Sequence, residues 1–163
     1  MILATILSLL SIQNFANALS NVSNQTSQSS TDMTTMKMMM ERGDIAMGFN
    51  QSAIAHQFLA TPDGGKIIIT ALNASDIQTI NQIKNHILDI QIEFSEGNFT
   101  KPFFIHAQDV PGTKVMSEKK DLIKYSISEM NNGSSLLLTT NDKELIDAID
   151  QFMEFQAREH SGH

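Results

Sequence analysis

The residues of this chain that could bind a metal ion are five histidines and ten methionines, and it has no cysteine. Without thiolate it cannot build an iron–sulfur centre or a cysteine-type zinc site. Imidazole and thioether remain, and both suit copper, with thioether selecting Cu(I). The composition therefore predicts an extracytoplasmic copper site, provided that the fold brings several of these side chains together.

The candidate ligands are spread along the chain. His56 opens a predicted strand, His86 borders the apolar stripe of a predicted helix, His106 lies in a long connection, and His160 follows the last helix. Each histidine also has a plainer interpretation, as a hydrogen-bonded residue beside an apolar face or as part of a solvated tail. The expected metal ligands are His56, His106 and His160, with either Met47 or Met116 as a thioether ligand, and His86 is a further candidate.

Five methionines lie in eight residues, after a Ser-, Thr- and Asn-rich stretch at 19–32. That stretch lacks the apolar surface to fold, so we expect residues 19–43 to be a disordered linker and a methionine arm. The arm would load soft metal ions, or it would serve as an adaptable interaction segment. It comprises Met33, Met36, Met38, Met39 and Met40.

The N-terminus and the sequons predict export. An apolar run over residues 1–10 and Ala16-Asn17-Ala18 match a signal peptide over residues 1–18, with an uncleaved membrane anchor as the alternative. Asn-x-Ser/Thr sequons favour a glycosylated protein that is secreted or held at the cell surface. The candidate glycosylation sites are Asn21, Asn24, Asn50, Asn73, Asn98 and Asn132.

The net charge and the absence of common catalytic motifs exclude several classes of function. A formal net charge of −7 argues against nucleic acid as a partner, so the expected partners are a metal ion or a metal-donor protein. Dinucleotide, P-loop, GxSxG and HExxH patterns are absent from the sequence. We therefore expect a non-enzymatic metal-binding module. The alternatives are a small secreted enzyme with histidine acid–base chemistry, or a surface interaction domain without metal.

Hydropathy patterning predicts a single α+β domain over residues 44–160, followed by a tail at 161–163. Two apolar runs flank Asp63-Gly64, a strong hairpin signal, and an amphipathic helix follows from an N-cap at Asn73 to Gly97. After a connection at 98–119, a second hairpin and a helix capped by Asn141-Asp142 repeat the pattern. This predicts two ββα units, with a four-stranded antiparallel sheet and two helices on one face. The predicted strands are 56–61, 66–72, 122–129 and 135–140, and the first helical stripe begins at Ile77.

The two units align at an offset of 69 residues, which matches Gly64 with Gly133 and Ile67 with Leu136. Duplication and chance similarity between two amphipathic segments are both open explanations. If a twofold axis relates the units, the end of the second helix lies near the first strand, and His160 approaches His56. If translation relates them, these two histidines lie at opposite ends and no single site forms.

A set of short motifs extends from residue 42 to residue 160. It comprises Arg42-Gly43-Asp44, Met47-Gly48-Phe49, His56-Gln57-Phe58, Asp63-Gly64-Gly65, His86, Pro102 to His106, Val110-Pro111-Gly112 with Met116, and Phe155 to His160. Together these motifs resemble a family of small uncharacterised secreted bacterial and archaeal proteins. The resemblance implies a methionine-rich segment before the domain, and a His-His pair where this chain has His56-Gln57. Some members carry the label aspartate carbamoyltransferase, but two arginines and no arginine-rich phosphate loop do not support that activity here.

Overall fold

The structure is a computed structural model, and it describes residues 33–160. The expected signal peptide, the linker at 19–32, the sequons at Asn21 and Asn24, and the tail at 161–163 lie outside the described residues. The chain divides into two compact units, Met1–Met38 and Met39–His163. Each is considered by itself, and the fold below is that of the second.

Residues 33–47 are helical (α1), although we expected a disordered arm up to residue 43 and a domain beginning at 44. Met, Lys, Glu, Arg and Ala are good helix formers, which accounts for the difference. In the first unit, Met33, Met36 and Met38 are exposed. In the second unit, Met39 is buried, so it is a core residue rather than part of an exposed arm.

Four strands form one antiparallel sheet of order β1-β2-β4-β3. They are β1 (Ile54–Thr61), β2 (Gly64–Ala71), β3 (Lys124–Met130) and β4 (Gly133–Thr139). Both predicted hairpins are present, with their turns at 62–63 and 131–132. The α+β prediction is confirmed.

The central pairing of β2 with β4 relates the two ββα units. Ile67 lies directly opposite Leu136, and these are the residues that the 69-residue offset makes equivalent. Gly64 lies opposite Thr139, and Thr70 lies opposite Gly133. A register that reverses about one equivalent pair is that of a twofold axis, so the units are inverted rather than translated.

Two long helices, α2 (Ile77–Ser95) and α5 (Lys143–Glu159), pack on the same face of the sheet. Alternate strand residues face them, as the twofold side-chain period of a strand requires. Helix α5 contacts β1 and β2, whereas α2 contacts mainly β4, with β2 and β3. The buried core includes Ile67, Ile69, Ile83, Ile87, Leu136, Leu138, Leu145, Ile149 and Phe152.

Helix α2 begins three residues later than its expected N-cap. Asp76 is the cap, because its carboxylate accepts bonds from the Thr79 N–H (3.1 Å) and hydroxyl (2.7 Å). The side-chain oxygen of Asn73, Oδ1, instead accepts a bond from the Ser75 N–H (3.0 Å) in a local turn. Ile77, expected in the buried stripe, is 64% exposed in the first turn.

The connection at 98–119 is largely helical rather than irregular. It contains α3 (Thr100–His106) and α4 (Thr113–Glu118), and a 3₁₀ turn at Lys120–Leu122 follows. Pro102 is tolerated because it lies in the first turn of α3, where backbone N–H groups have no helical acceptor. The expected loop around the candidate ligands His106 and Met116 is thus built of short helices.

The sequons within the described residues differ in exposure. Asn50, Asn73 and Asn98 are exposed, and each side-chain carbonyl accepts a bond from the backbone N–H two residues later. Asn132 is half-buried in the turn between β3 and β4. Between residues 33 and 160, no helix combines the length and apolarity that a membrane crossing requires.

Two glycines with positive φ give a matched test of the packing between α4 and α5. Gly112 (φ +81°) lies where a Cβ would be 2.0 Å from the Ala148 carbonyl oxygen, whereas Gly48 (φ +75°) has open space around it. Gly48→Ala should cost only the positive-φ strain, about 1–2 kcal/mol. Gly112→Ala should lower the free energy of unfolding by clearly more, measured by urea denaturation; equal losses would show that α4 can move away from α5.

Candidate metal centre

His56 lies on β1, on the face of the sheet that the helices cover. Its register partner is Ile69, which is buried in the core, so the side chain of His56 points to the helical side. The His56 ring stacks on Phe58 two residues later, with ring centres 5.9 Å apart and planes 9° apart. The strand therefore presents an imidazole and a phenyl ring side by side to the end of α5.

His160 follows α5 directly and is the centre of an aromatic cluster. Its backbone N–H donates to the Gln156 carbonyl (3.0 Å), which continues the helical turn and fixes the ring over β1. The ring centre of His160 is 5.0 Å from that of His56, 5.4 Å from that of His106 and 5.5 Å from that of Phe58. Two imidazoles that share a metal ion at about 2.0–2.1 Å have ring centres roughly 5–6 Å apart. The two closest histidine pairs match that spacing.

A cavity of about 60 Å³ lies beside this cluster. Its polar lining includes three histidines and two glutamines, and its remaining walls are mostly apolar. None of its lining residues in the described part of the chain is an aspartate or a glutamate. The lining residues that bear on chemistry are Met47, Gln51, His56, His86, Lys101, Gln156 and His160.

Met47 reaches the cavity because α1 ends there. Gly48 (φ +75°) follows it and breaks the helix, as a glycine after a helix commonly does. Phe49 then packs edge-on against the His86 ring, with centres 5.9 Å apart. The Met47-Gly48-Phe49 motif thus brings a thioether to the cavity and supports a histidine of the wall.

His86 is buried on α2 and lines the cavity. Burial lowers its pKa from 6.5 to about 3, and the charge of Lys101 and the nearby His56 add to that effect. Its imidazole is therefore neutral across the physiological range, and a neutral ring is the form that binds a metal ion.

His106 contacts the cluster but does not line the cavity. Its Nε2 atom lies 3.1 Å from Gln156 Oε1, and its ring meets Phe155 edge-on with centres 5.0 Å apart. Its Nδ1 atom is buried and has no hydrogen-bond partner among the described residues. Burial lowers the pKa of His106. His106 therefore packs against the His160 ring without itself lining the cavity.

The candidate ligands therefore separate into two groups. One cavity is lined by His56, His86, His160 and Met47. His106 does not line it but contacts the ring of His160. Met116 is fully buried in the core and is not among the lining residues, so the expected choice between Met47 and Met116 favours Met47. Within residues 33–160, no group of three or more His, Asp or Glu side chains has the arrangement of a metal site.

Three lining residues were missed in the sequence. Gln156 had a usable signal, because it is a polar residue four positions from Phe152 and from His160 in the buried stripe of α5. For Gln51 the sequence offers no signal beyond its place as the middle residue of the Asn50 sequon. Lys101 forms an ion pair with Glu93 between α3 and α2, which no spacing in the sequence indicates.

Comparisons with known proteins give no relative: no protein-family model, curated protein or solved structure matches the chain.

The low pKa of His86 makes stability depend on pH. The unfolded chain takes up this proton near pH 6.5 and the folded chain only near pH 3, so stability falls as pH drops between these values. The loss is at most about 1.4 kcal/mol per pH unit for this residue. Above pH 6.5 it contributes no pH dependence. His86→Gln should flatten the curve between pH 6.5 and 4, measured as free energy of urea unfolding at several pH values; a wild-type slope in the variant would contradict this.

Proposed function

We propose that this protein is an extracytoplasmic module that binds copper, with His56, His160 and Met47 as ligands. The observation that carries the proposal is that these three side chains line one small cavity, with the two imidazole rings 5.0 Å apart. Two imidazoles and a thioether form a three-ligand set of neutral, soft or borderline donors, which suits Cu(I). His86 is a fourth candidate, since it lines the same cavity.

The absence of carboxylates from the described lining supports a soft ion over a hard one. Calcium and magnesium are bound by carboxylate and carbonyl oxygens, often six or more. This cavity offers mainly nitrogen and sulfur donors, and its one ammonium, Lys101, is already paired with Glu93. A monovalent ion on neutral ligands leaves little net charge to bury beside phenyl rings.

The size of the cavity also bears on function. Sites for organic ligands usually measure roughly 300–1,000 Å³, whereas this cavity measures about 60 Å³. It suits an ion with one or two small molecules. An organic substrate would need the walls to open first.

An enzyme with histidine acid–base chemistry is the candidate from another class. Such a histidine works best with a pKa near the operating pH and with a carboxylate that orients it. His86 has a pKa of about 3, and the ring of His106 meets an amide oxygen, Gln156 Oε1. These two features favour a role for the histidines in metal binding over a role in catalytic proton transfer.

The exposed methionines of the first unit fit a loading role. Met33, Met36 and Met38 are exposed on a helical segment, where a thioether can take Cu(I) from a donor protein. Export is supported by the exposed sequons at Asn50, Asn73 and Asn98, and the absence of cysteine is compatible with it. In that setting glycosylation would occur at these exposed positions before the half-buried Asn132.

Metal titration tests the site. Cu(I), Cu(II) and Zn(II) are titrated into the purified protein, and we expect Cu(I) to bind most tightly, with one ion in the cavity. Met47→Leu removes the thioether at similar volume and should weaken Cu(I) binding at least about tenfold, or about 1.4 kcal/mol. His56→Ala and His160→Ala should each weaken it more.

Met116→Leu is the matched control, because Met116 is also buried but lies outside the cavity lining. It should leave Cu(I) affinity unchanged. Equal effects of Met47→Leu and Met116→Leu would mean that stability, rather than ligation, explains the loss. Wild-type binding weaker than micromolar for all three ions would remove the proposal.

A triple substitution of Met33, Met36 and Met38 to Leu tests the loading role separately. We expect the equilibrium affinity for Cu(I) to stay the same, because the cavity ligands are intact. The rate of Cu(I) transfer from a donor protein should fall severalfold, measured by stopped-flow mixing. A lower affinity with an unchanged rate would instead assign these methionines to a binding site.

A further inference from the structure

Gln51 is a buried polar residue with one half of its amide unsatisfied. It is 2% exposed and lines the cavity. Its Nε2 atom donates to the Met40 carbonyl (3.0 Å), whereas its Oε1 atom has no hydrogen-bond partner among the described residues. Leaving such an acceptor unpaired costs about 1–3 kcal/mol, so a bound molecule that donates a hydrogen bond to it is favoured.

The orientation of the Gln51 amide follows from its neighbour. The Met40 carbonyl can only accept, so the amide must present its N–H group there and keep its oxygen on the other side. A flipped amide would place two oxygens against each other. The unpaired atom of the Gln51 side chain is therefore its carbonyl oxygen, an acceptor, whichever way the two amide atoms are assigned.

The surrounding residues are built to hold Gln51 in this position. Asp44 Oδ1 accepts from the Gln51 backbone N–H (2.8 Å). Gly43 leaves the necessary room, since a Cβ there would lie 1.6 Å from Gln51 Nε2. Arg42 Nε donates to the Ile105 carbonyl (2.7 Å) and ties α1 to α3. The Arg42-Gly43-Asp44 motif thus has a physical role, which is to fix Gln51 at the cavity.

The cavity has space for a donor. A water molecule needs about 10–15 Å³, and the cavity measures about 60 Å³. Room remains for an ion and for one further molecule of one or two heavy atoms. The ammonium of Lys101 is engaged by Glu93, so a bound molecule is the better source of the missing hydrogen.

We infer that the cavity holds a small exchangeable ligand, water in the resting protein, that donates to Gln51 Oε1 and occupies a coordination position of the bound ion. The inference rests on the proposed copper site. It makes the centre an open one, which can exchange water for another small molecule that carries an O–H or N–H group. Gln51 selects donors over pure acceptors such as halide ions.

The first test uses the metal-free protein and is independent of copper. In a crystal structure at near-atomic resolution, we expect an ordered water about 2.7–3.2 Å from Gln51 Oε1. A dry cavity overturns the inference and leaves the proposed function untouched. The measurement needs no variant, so failure of a variant to fold cannot obscure it.

The second test uses the protein loaded with Cu(II), whose unpaired electron reports nearby protons. Electron–nuclear double resonance in H₂O and in D₂O should show strongly coupled exchangeable protons from the bound water. Gln51→Met keeps the side-chain length but removes the acceptor, and it should change or abolish that coupling. Gln57→Met, at an exposed position on β1, is the control and should keep it.

The outcomes separate the two proposals. Bound Cu(II) without exchangeable coupling, or with the same coupling in Gln51→Met, overturns the coordinated water but not the copper site. Absence of Cu(II) and Cu(I) binding overturns the proposed function and the coordinating role together, while the crystal structure still decides whether Gln51 holds water. Gly43→Ala, which displaces the amide without removing it, should reproduce the effect of Gln51→Met.

Discussion

The antiparallel pairing of β2 with β4 is the constraint on which the candidate centre depends. This pairing inverts the second ββα unit relative to the first, with Ile67 opposite Leu136 at the middle. As a result, α5 lies over β1 and β2, and its end reaches the strand that carries His56. In a translated arrangement the same sequence would hold His160 and His56 at opposite ends of the sheet.

A second, local set of interactions completes the cavity from the other side. The end of α1 supplies Met47, and the bond from Arg42 to Ile105 joins this end to α3. Helix α3 in turn contributes Pro102 and Ile105 to the wall. Met47, Pro102 and His160 are far apart in the sequence, yet they meet at this one cavity.

The hairpins and long helices could be predicted because their signals are local. Asp63-Gly64 marks a turn by its own backbone preference, and Asp142 caps α5 by bonding to the N–H of Leu145 (3.1 Å). Where two caps competed, as Asn73 and Asp76 did, hydropathy could not choose, because the decision lay with the hydroxyl of Thr79. The short helices of the connection were missed for a related reason: tertiary packing, and not periodicity, stabilises elements of six or seven residues.

The site was less predictable than the fold. His56 and His160 could be named as partners only on condition of a twofold relation, and no local signal determines how two hairpins pair. Gln51 could not be found at all, because its importance comes from a bond to Met40 and a gap at Gly43. Met116 was a reasonable ligand by type, but its burial depends on the contact between α4 and α5.

The position of His56 on β1 has a mechanical consequence. In the described sheet, β1 is an edge strand with β2 as its only ladder partner. Edge strands open locally at lower free energy than central ones. An ion bound by both His56 on this edge strand and His160 at the end of α5 would link the strand to the helix. Binding of the ion would therefore slow the local opening of β1.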